Sequence, residues 1–278
     1  MRRGITAALL LWAALPVLGC KRSPKQAREE LARLNVPFTS EEFIGRCARG
    51  PTDLIETFLV AGADPNVIVG DAGVSYTPLM AAAEAGRLDI AGQLFQAGAR
   101  AELQTPDGRS ALAVAAGNCK NPGMAKLLID RGARPSSADL FRALWSVQAH
   151  PMDCSRDHLQ HLLNASEDVN GRNEQGWTLL MLAADRVDVE SVRLILGRRP
   201  ALDLQAHPYR WTALEIACRR ALADRRPDTL PIVIDLLRAG ADPNLTDSDG
   251  RSALESLGPA SYSPELNPIR DAITRPAR

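Results

Sequence analysis

"TPLMAAAEAG", residues 77–86, sets the beat of the chain, because four later stretches follow it. They are "SALAVAAGN" from Ser110, "TLLMLAADR" from Thr178, "TALEIACRR" from Thr212 and "SALESL" from Ser252. The starts lie 33, 68, 34 and 40 residues apart, and the 68 hides one degenerate unit. A second motif keeps time with the first: "GADPN" at 62–66 and again at 240–244, with "GARAE" at 98 and "GARPS" at 132. Self-similarity at a fixed period of this size marks a repeat architecture. Composition agrees with helices, since 45% of residues are apolar and only 4% aromatic, which calls for an aliphatic, alanine-rich core.

The beat resembles that of ankyrin-repeat proteins, in which each unit of about 33 residues is a turn and two antiparallel helices. The resemblance covers roughly residues 43–257, with units at about 43–76, 77–109, 110–137, 138–177, 178–211 and 212–251 and a partial closing unit from Ser252. It implies an all-α solenoid of about six repeats plus a partial C-terminal cap at 258–278. Alanines in "AAAEAG" let first helices stack closely, while Leu127 with Leu128 and Leu236 with Leu237 give the second helices their apolar bulk. Gly62, Gly98, Gly132 and Gly240 fall just past helix ends, where a left-handed backbone is cheap only for glycine.

Departures from the family pattern are local. Its Thr-Pro-Leu-His start is complete nowhere: Met80, Ala113, Met181 and Glu215 stand where the histidine would be, which weakens a hydrogen-bond network usual in the family. In the fourth unit the turn before "SADLFRAL" is shortened and "VQAHPMDCSRD" lengthens the link between helices; the sixth carries extra residues in "LADRRPDTLP".

Ahead of the repeats, two arginines precede an uncharged run, Gly4 to Gly19, that ends in "LPVLGC". Sixteen residues are too few to span a bilayer comfortably, and a basic start before a short apolar run reads as an export signal. Val17, Leu18, Gly19 and Cys20 resemble the lipobox of bacterial lipoproteins, although a small residue is commoner in place of Leu18. The resemblance implies a signal peptide over 1–19 and a lipidated Cys20 as first residue of the mature chain. Two or three acyl chains would hold it firmly where one would not. Residues 20–42 then form a linker with a short spacer helix, capped by Ser23 with Pro24 and Gln26, and Thr39 with Glu42 opens the next helix through a second capping box. Lys21 rather than aspartate after the cysteine favours, by the sorting habit of Gram-negative lipoproteins, the outer membrane facing the periplasm.

Of the other cysteines, Cys47 and Cys218 align with Ala83 on first helices of distant repeats, so they are expected to be buried and unbridged. Cys119 and Cys154 fall in equivalent loops of neighbouring repeats, and in an oxidising compartment they are expected to form a disulfide. His150, Cys154, His158 and His161 are spaced so that one continuous helix would line them up as zinc ligands, but Pro151 interrupts that helix. Metal binding there stays open as an alternative, and the main reading has no metal and no cofactor. Catalytic motifs and a phosphate-cradling glycine loop are missing, and four histidines leave few acid–base candidates, so the chain is read as not an enzyme. Thirty-three basic against 33 acidic residues supply no field for nucleic acid.

What remains is surface. Tyr76, Arg109, Trp177, Trp211 and Arg251 immediately precede repeat starts, with Tyr209 close by, and aromatic and arginine side chains are common anchors of protein recognition. These six are the expected partner-binding residues of a monomer that grips a protein of unknown identity at the bacterial envelope, inhibiting or scaffolding it. The other reading, besides metal binding, is a cytosolic or host-delivered effector without lipid.

Overall fold

A computed structural model of the chain describes residues 22–70, 75–118, 121–150, 156–224, 227–259 and 263–275. Cys20, Cys119 and Cys154 lie outside these residues, and with them the expected lipidation site and disulfide. Among the described residues the regular structure is helical, and the extended backbone forms only isolated two-residue bridges.

The helices form two rows. The inner row contains α2 (Ser40–Arg49), α4 (Pro78–Glu84), α6 (Ala111–Gly117), α8 (Ser137–Ala149), α10 (Leu179–Asp185), α12 (Ala213–Asp224) and α14 (Ala253–Ser256). Their antiparallel partners in the outer row are α3 (Thr52–Val60), α5 (Leu88–Gln96), α7 (Pro122–Asp130), α9 (Asp157–Ala165), α11 (Val189–Leu196), α13 (Leu230–Ala239) and α15 (Asn267–Thr274). Helices stack on their counterparts in the next unit: α2 on α4, α4 on α6, α6 on α8, α10 on α12 and α12 on α14, with α3 on α5, α7 on α9, α11 on α13 and α13 on α15. The reason is visible in the side chains. Ala81 to Ala83, Ala115, Ala116, Ala183, Ala184, Ala217 and Cys218 are buried and keep the inner helices thin, while Leu94, Leu128 and Leu236 fill the space behind them. Cys47 and Cys218 are free thiols, and burial pushes them up, Cys47 to about 12.

The inner helices start on hydroxyl caps. Thr77, Ser110, Thr178, Thr212 and Ser252 accept the backbone N–H three residues on, at 3.0 to 3.4 Å. Each outer helix of the glycine-bearing units ends on its predicted left-handed residue, as at Gly240 with φ 102°. Neighbouring units are also stitched at the turns: Asn66 of the first "GADPN" donates to the Gly98 carbonyl and accepts from the Arg100 N–H, and Asn170 accepts from Ala201 N–H.

Two expectations for residues 20–42 need correction. The first helix, α1 (Pro24–Arg33), has the expected Ser23 and Gln26 capping box but is no spacer. Ala27 and Leu31 are buried and α1 packs on α3, while Arg28 donates to the Ala61 carbonyl at 3.0 Å. It therefore acts as an outer helix that covers the first unit's apolar side. At Thr39 only half a capping box forms, because the Glu42 carboxylate turns to Arg46 one helical turn later, at 2.7 Å.

In both irregular units part of the sequence expected to lengthen the link between helices, Val147–Ala149 and Leu222–Asp224, extends the inner helix instead. α8 runs 13 residues and α12 runs 12, against 7 in α4, α6 and α10. The cost of the longer α8 appears at the seam that follows it, since α8 and α10 touch over less of their length than any other described pair of inner neighbours. Two arginines span that seam: Arg156 reaches Asp188 at 3.0 Å and Arg198 the Ser166 carbonyl at 3.1 Å.

Candidate functional site

Between outer and inner helices of successive units the chain makes short fingers, each closed by one bridge: Val69 with Tyr76, Gln104 with Ser110, Arg172 with Thr178, Ala206 with Trp211 and Thr246 with Ser252. The base of three of them is set by a side chain that accepts the N–H four residues ahead. Thr105 takes that of Arg109, Asn173 that of Trp177 and Asp247 that of Arg251, at 2.9 to 3.2 Å. Gly108, Gly176 and Gly250 then turn the finger back with φ near 77°, which other residues adopt only with strain. The residue that follows is thereby held at the finger's edge, beside the inner helix it introduces.

Five of the six expected binding residues come together in two groups. Arg109 lies over the ring of Tyr76, with its guanidinium carbon 4.9 Å from the centroid, so the pair joins two consecutive fingers. At the other end Tyr209 stacks on Trp211 at 4.5 Å and 16°, and Arg219 of α12 covers Trp211 at 4.3 Å. Arg219 continues to Asp247 at 3.3 Å, and Asp247 also pairs with Arg251 at 3.4 Å. Arg251 donates to Asp249 as well. Trp177 stands apart from both groups. It and Trp211 are half-buried against the core, so each also packs the stack; Tyr209 is 54% exposed.

The central aromatic was missed by sequence reasoning. Aligning the buried Leu140, Ala143 and Leu144 with Leu180, Ala183 and Ala184 puts Trp145 in register with Asp185 and, in the other units, with Glu84, Gly117 and Arg219. Trp145 is 56% exposed, and Arg186 lies over its ring at 4.9 Å. The signal was present as Leu-x-x-Ala-Leu in "DLFRAL", hidden because α8 starts earlier than its neighbours relative to that pattern.

The three histidines of the insertion part company. His158 is fully buried on α9, and its Nε2–H donates at 3.0 Å to Ala116 O in the last turn of α6, where a helix carbonyl lacks a backbone partner. His161 contacts its own helix through Asp157 O, and His150 ends α8. Among the described residues no cluster of three or more His, Cys, Asp or Glu could hold a metal ion. Cys154, the remaining member of that alternative set, lies outside them.

His158 has a pH consequence. Burial, aided by the nearby His161, depresses its pKa below the usual 6.5 against the opposing Ala116 bond, and Nδ1 is buried with no partner among the described residues. The unfolded chain therefore takes up a proton that the folded one refuses, so this group's contribution to stability is lost as pH falls below about 6.5. Thermal melts at pH 7 and pH 5 should show a drop for the native protein that His158→Gln, whose amide can still donate to Ala116, largely abolishes. An equal drop in both proteins would exclude His158 as the cause.

A family model for ankyrin repeats matches residues 45–139 and 150–247, more than half of the chain. The chain belongs to the ankyrin-repeat family. Solved ankyrin structures share its fold. An ankyrin-repeat domain from Acinetobacter baumannii AYE is 26% identical, with a TM-score of 0.58 over 71% of this chain and 96% of that one. The ankyrin domain of Bcl-3, a member of the IkappaB family, is 20% identical, with a TM-score of 0.65 over 84% of this chain and 97% of that one. For the human ASB11 ankyrin domain the values are 19%, 0.60, 82% and 95%. No curated protein sequence matches significantly. Ankyrin repeats generally mediate binding to protein partners, and the fingers and inner helices described above are the elements such repeats present.

Proposed function

We propose that this chain is a non-catalytic protein-binding module, anchored through a lipid on Cys20 to the bacterial envelope, at the outer membrane facing the periplasm. The observation that supports the binding role best is the recurrence of arginine over aromatic on one line of fingers and inner helices: Arg109 on Tyr76, Arg186 on Trp145, Arg219 on Trp211. Such pairs present large, pre-ordered surfaces with little side-chain freedom left to lose on binding. The envelope assignment rests on the lipobox resemblance alone, and the described helices include none long and apolar enough to cross a membrane. A tethered monomer would search two dimensions, raising its effective concentration near envelope partners that it inhibits or scaffolds.

Crosslinking in intact cell envelopes followed by mass spectrometry tests the role. Tyr209→Ala, which removes an exposed ring, should weaken recovery of the partner at least several-fold while leaving the thermal midpoint within a degree or so. Unchanged recovery with every one of Tyr209, Arg109 and Arg251 replaced would rule out this surface. Palmitate labelling that survives Cys20→Ser, or is absent from the native protein, would remove the anchor and favour a cytosolic or host-delivered protein.

A further inference from the structure

The open seam after α8 has its own chemistry. Between α8, α10 and the finger at 173–176 lies a groove of about 630 Å³, floored by Phe141 and Leu182 and walled by Trp145. Gly117, at the end of α6, leaves one side open: a Cβ there would meet nothing within 4 Å. Arg142, Arg186 and His150 line the groove, and among the described residues no aspartate or glutamate does. In a chain whose charges balance overall, this is a local excess of one sign.

The two guanidinium groups are not equally engaged. Arg142 meets Asp139 at 3.1 Å, but that carboxylate is already engaged in the capping box of α8, accepting from Ser136 N–H at 2.9 Å and from its hydroxyl at 2.7 Å. Arg186 has no carboxylate partner among the described residues and rests on the Trp145 ring. A guanidinium spread over an indole keeps its edge N–H donors free for a planar acceptor such as a carboxylate.

We propose that this groove holds an acidic peptide segment of the partner protein, with one apolar side chain seated between Trp145, Phe141 and Leu182 and carboxylates facing Arg186 and Arg142. The assignment rests on the protein-binding reading above and adds the partner's chemistry and the anchor point. Charge complementarity selects an acidic ligand, and the exposed indole supplies the apolar contact that fixes its register.

The test is selection of a random dodecapeptide library, displayed on phage, on the intact protein, followed by affinity measurement of the enriched peptides in solution. Enriched sequences should be net negative and carry a Leu, Ile, Phe or Trp. Their binding should weaken at least tenfold in Trp145→Ala, at least tenfold in the double variant Arg142→Glu with Arg186→Glu, and steadily with added salt. Gly117→Glu, an exposed change that puts a carboxylate at the groove's open side, should do the same without lowering the melting temperature. Neutral or basic enriched peptides, or acidic ones indifferent to these variants but lost with Tyr209→Ala, would overturn the groove and leave the binding module standing. Enrichment of no peptide would count against both.

Discussion

Glu215→Gln should change the stability of the C-terminal units by no more than about 1 kcal/mol near pH 5 and raise it by up to about 3 kcal/mol at pH 8. Glu215 sits where the family's helix-start pattern has a histidine, and it is 1% exposed. Burial, then the Asp247 carboxylate, push it up to about 7 from an ordinary 4.5, while the Ser256 hydroxyl donating at 3.2 Å and Arg219 at 3.6 Å pull the other way. A carboxyl raised in this way is still protonated in the fold at pH values where the unfolded chain has released its proton. The contribution is full below pH 4.5 and is lost as pH climbs to about 7. Asp247 behaves oppositely: N–H groups of Arg251 and Asp249 and the Arg251 charge hold it below the usual range despite burial, so its contribution is lost only in stronger acid. Glutamine matches the protonated acid in size and never has to lose a proton, which removes the penalty above pH 7. Melts followed by far-UV circular dichroism at the two pH values decide it. The same change at both, in either direction, would mean that Glu215 is ionised throughout.

Arg270→Ala should release the C-terminal cap, at a cost of about 3 kcal/mol to the last unit. Arg270 on α15 is only 9% exposed, and its guanidinium donates to the carbonyls of Ser263, Leu257, Gly258 and Pro259 at 2.8 to 3.2 Å. These carbonyls belong to the chain just past α14, outside any helix, and need donors of their own. Truncation strands several of them in an enclosed site. Arg270→Lys recovers little, because one ammonium cannot reach a spread of carbonyls that five fixed N–H donors cover. Hydrogen exchange is the suitable readout: protection should fall across 253–275 and stay unchanged in α4 to α7. Native protection at the C-terminus in both variants would show that apolar contacts of Leu266, Ile269 and Ile273 suffice to hold the cap.

The architecture was legible before any coordinate because it depends on local, repeated rules. A hydroxyl residue, a run of small apolar residues and a glycine recurring near 33 residues specify a helix start, a thin helix and a stop. Each unit then solves the same packing problem as the last. The buried Cys47 and Cys218 were readable for this reason, as was the left-handed Gly240. Tyr76, Arg109, Trp211 and Arg251 were readable as a set because the period puts them at one place in every unit. Their partners were less so: Arg219 over Trp211 and Arg109 over Tyr76 join residues 8 and 33 positions apart, and only stacking brings them within 5 Å.

What escaped the sequence lies where the period falters. In the fourth unit the early start of α8 hid the register that places Trp145 beside the groove. α1 looked like a tether because one amphipathic turn cannot reveal that α3 needs covering. Arg270 carried no pattern, and the spacing of His158 pointed to metal rather than to packing, since each satisfies carbonyls left over at or just past the end of a helix elsewhere, a need that exists only once that helix is placed. The sequence by itself thus determined the repeat, its caps and the place of Tyr76, Arg109, Trp177, Trp211 and Arg251 at the finger edges, through interactions spanning a few residues. The open seam at Trp145, the protonation of Glu215 and the closure of both ends were decided by the tertiary structure, because burial and charge pairing depend on groups that the chain brings together from a distance.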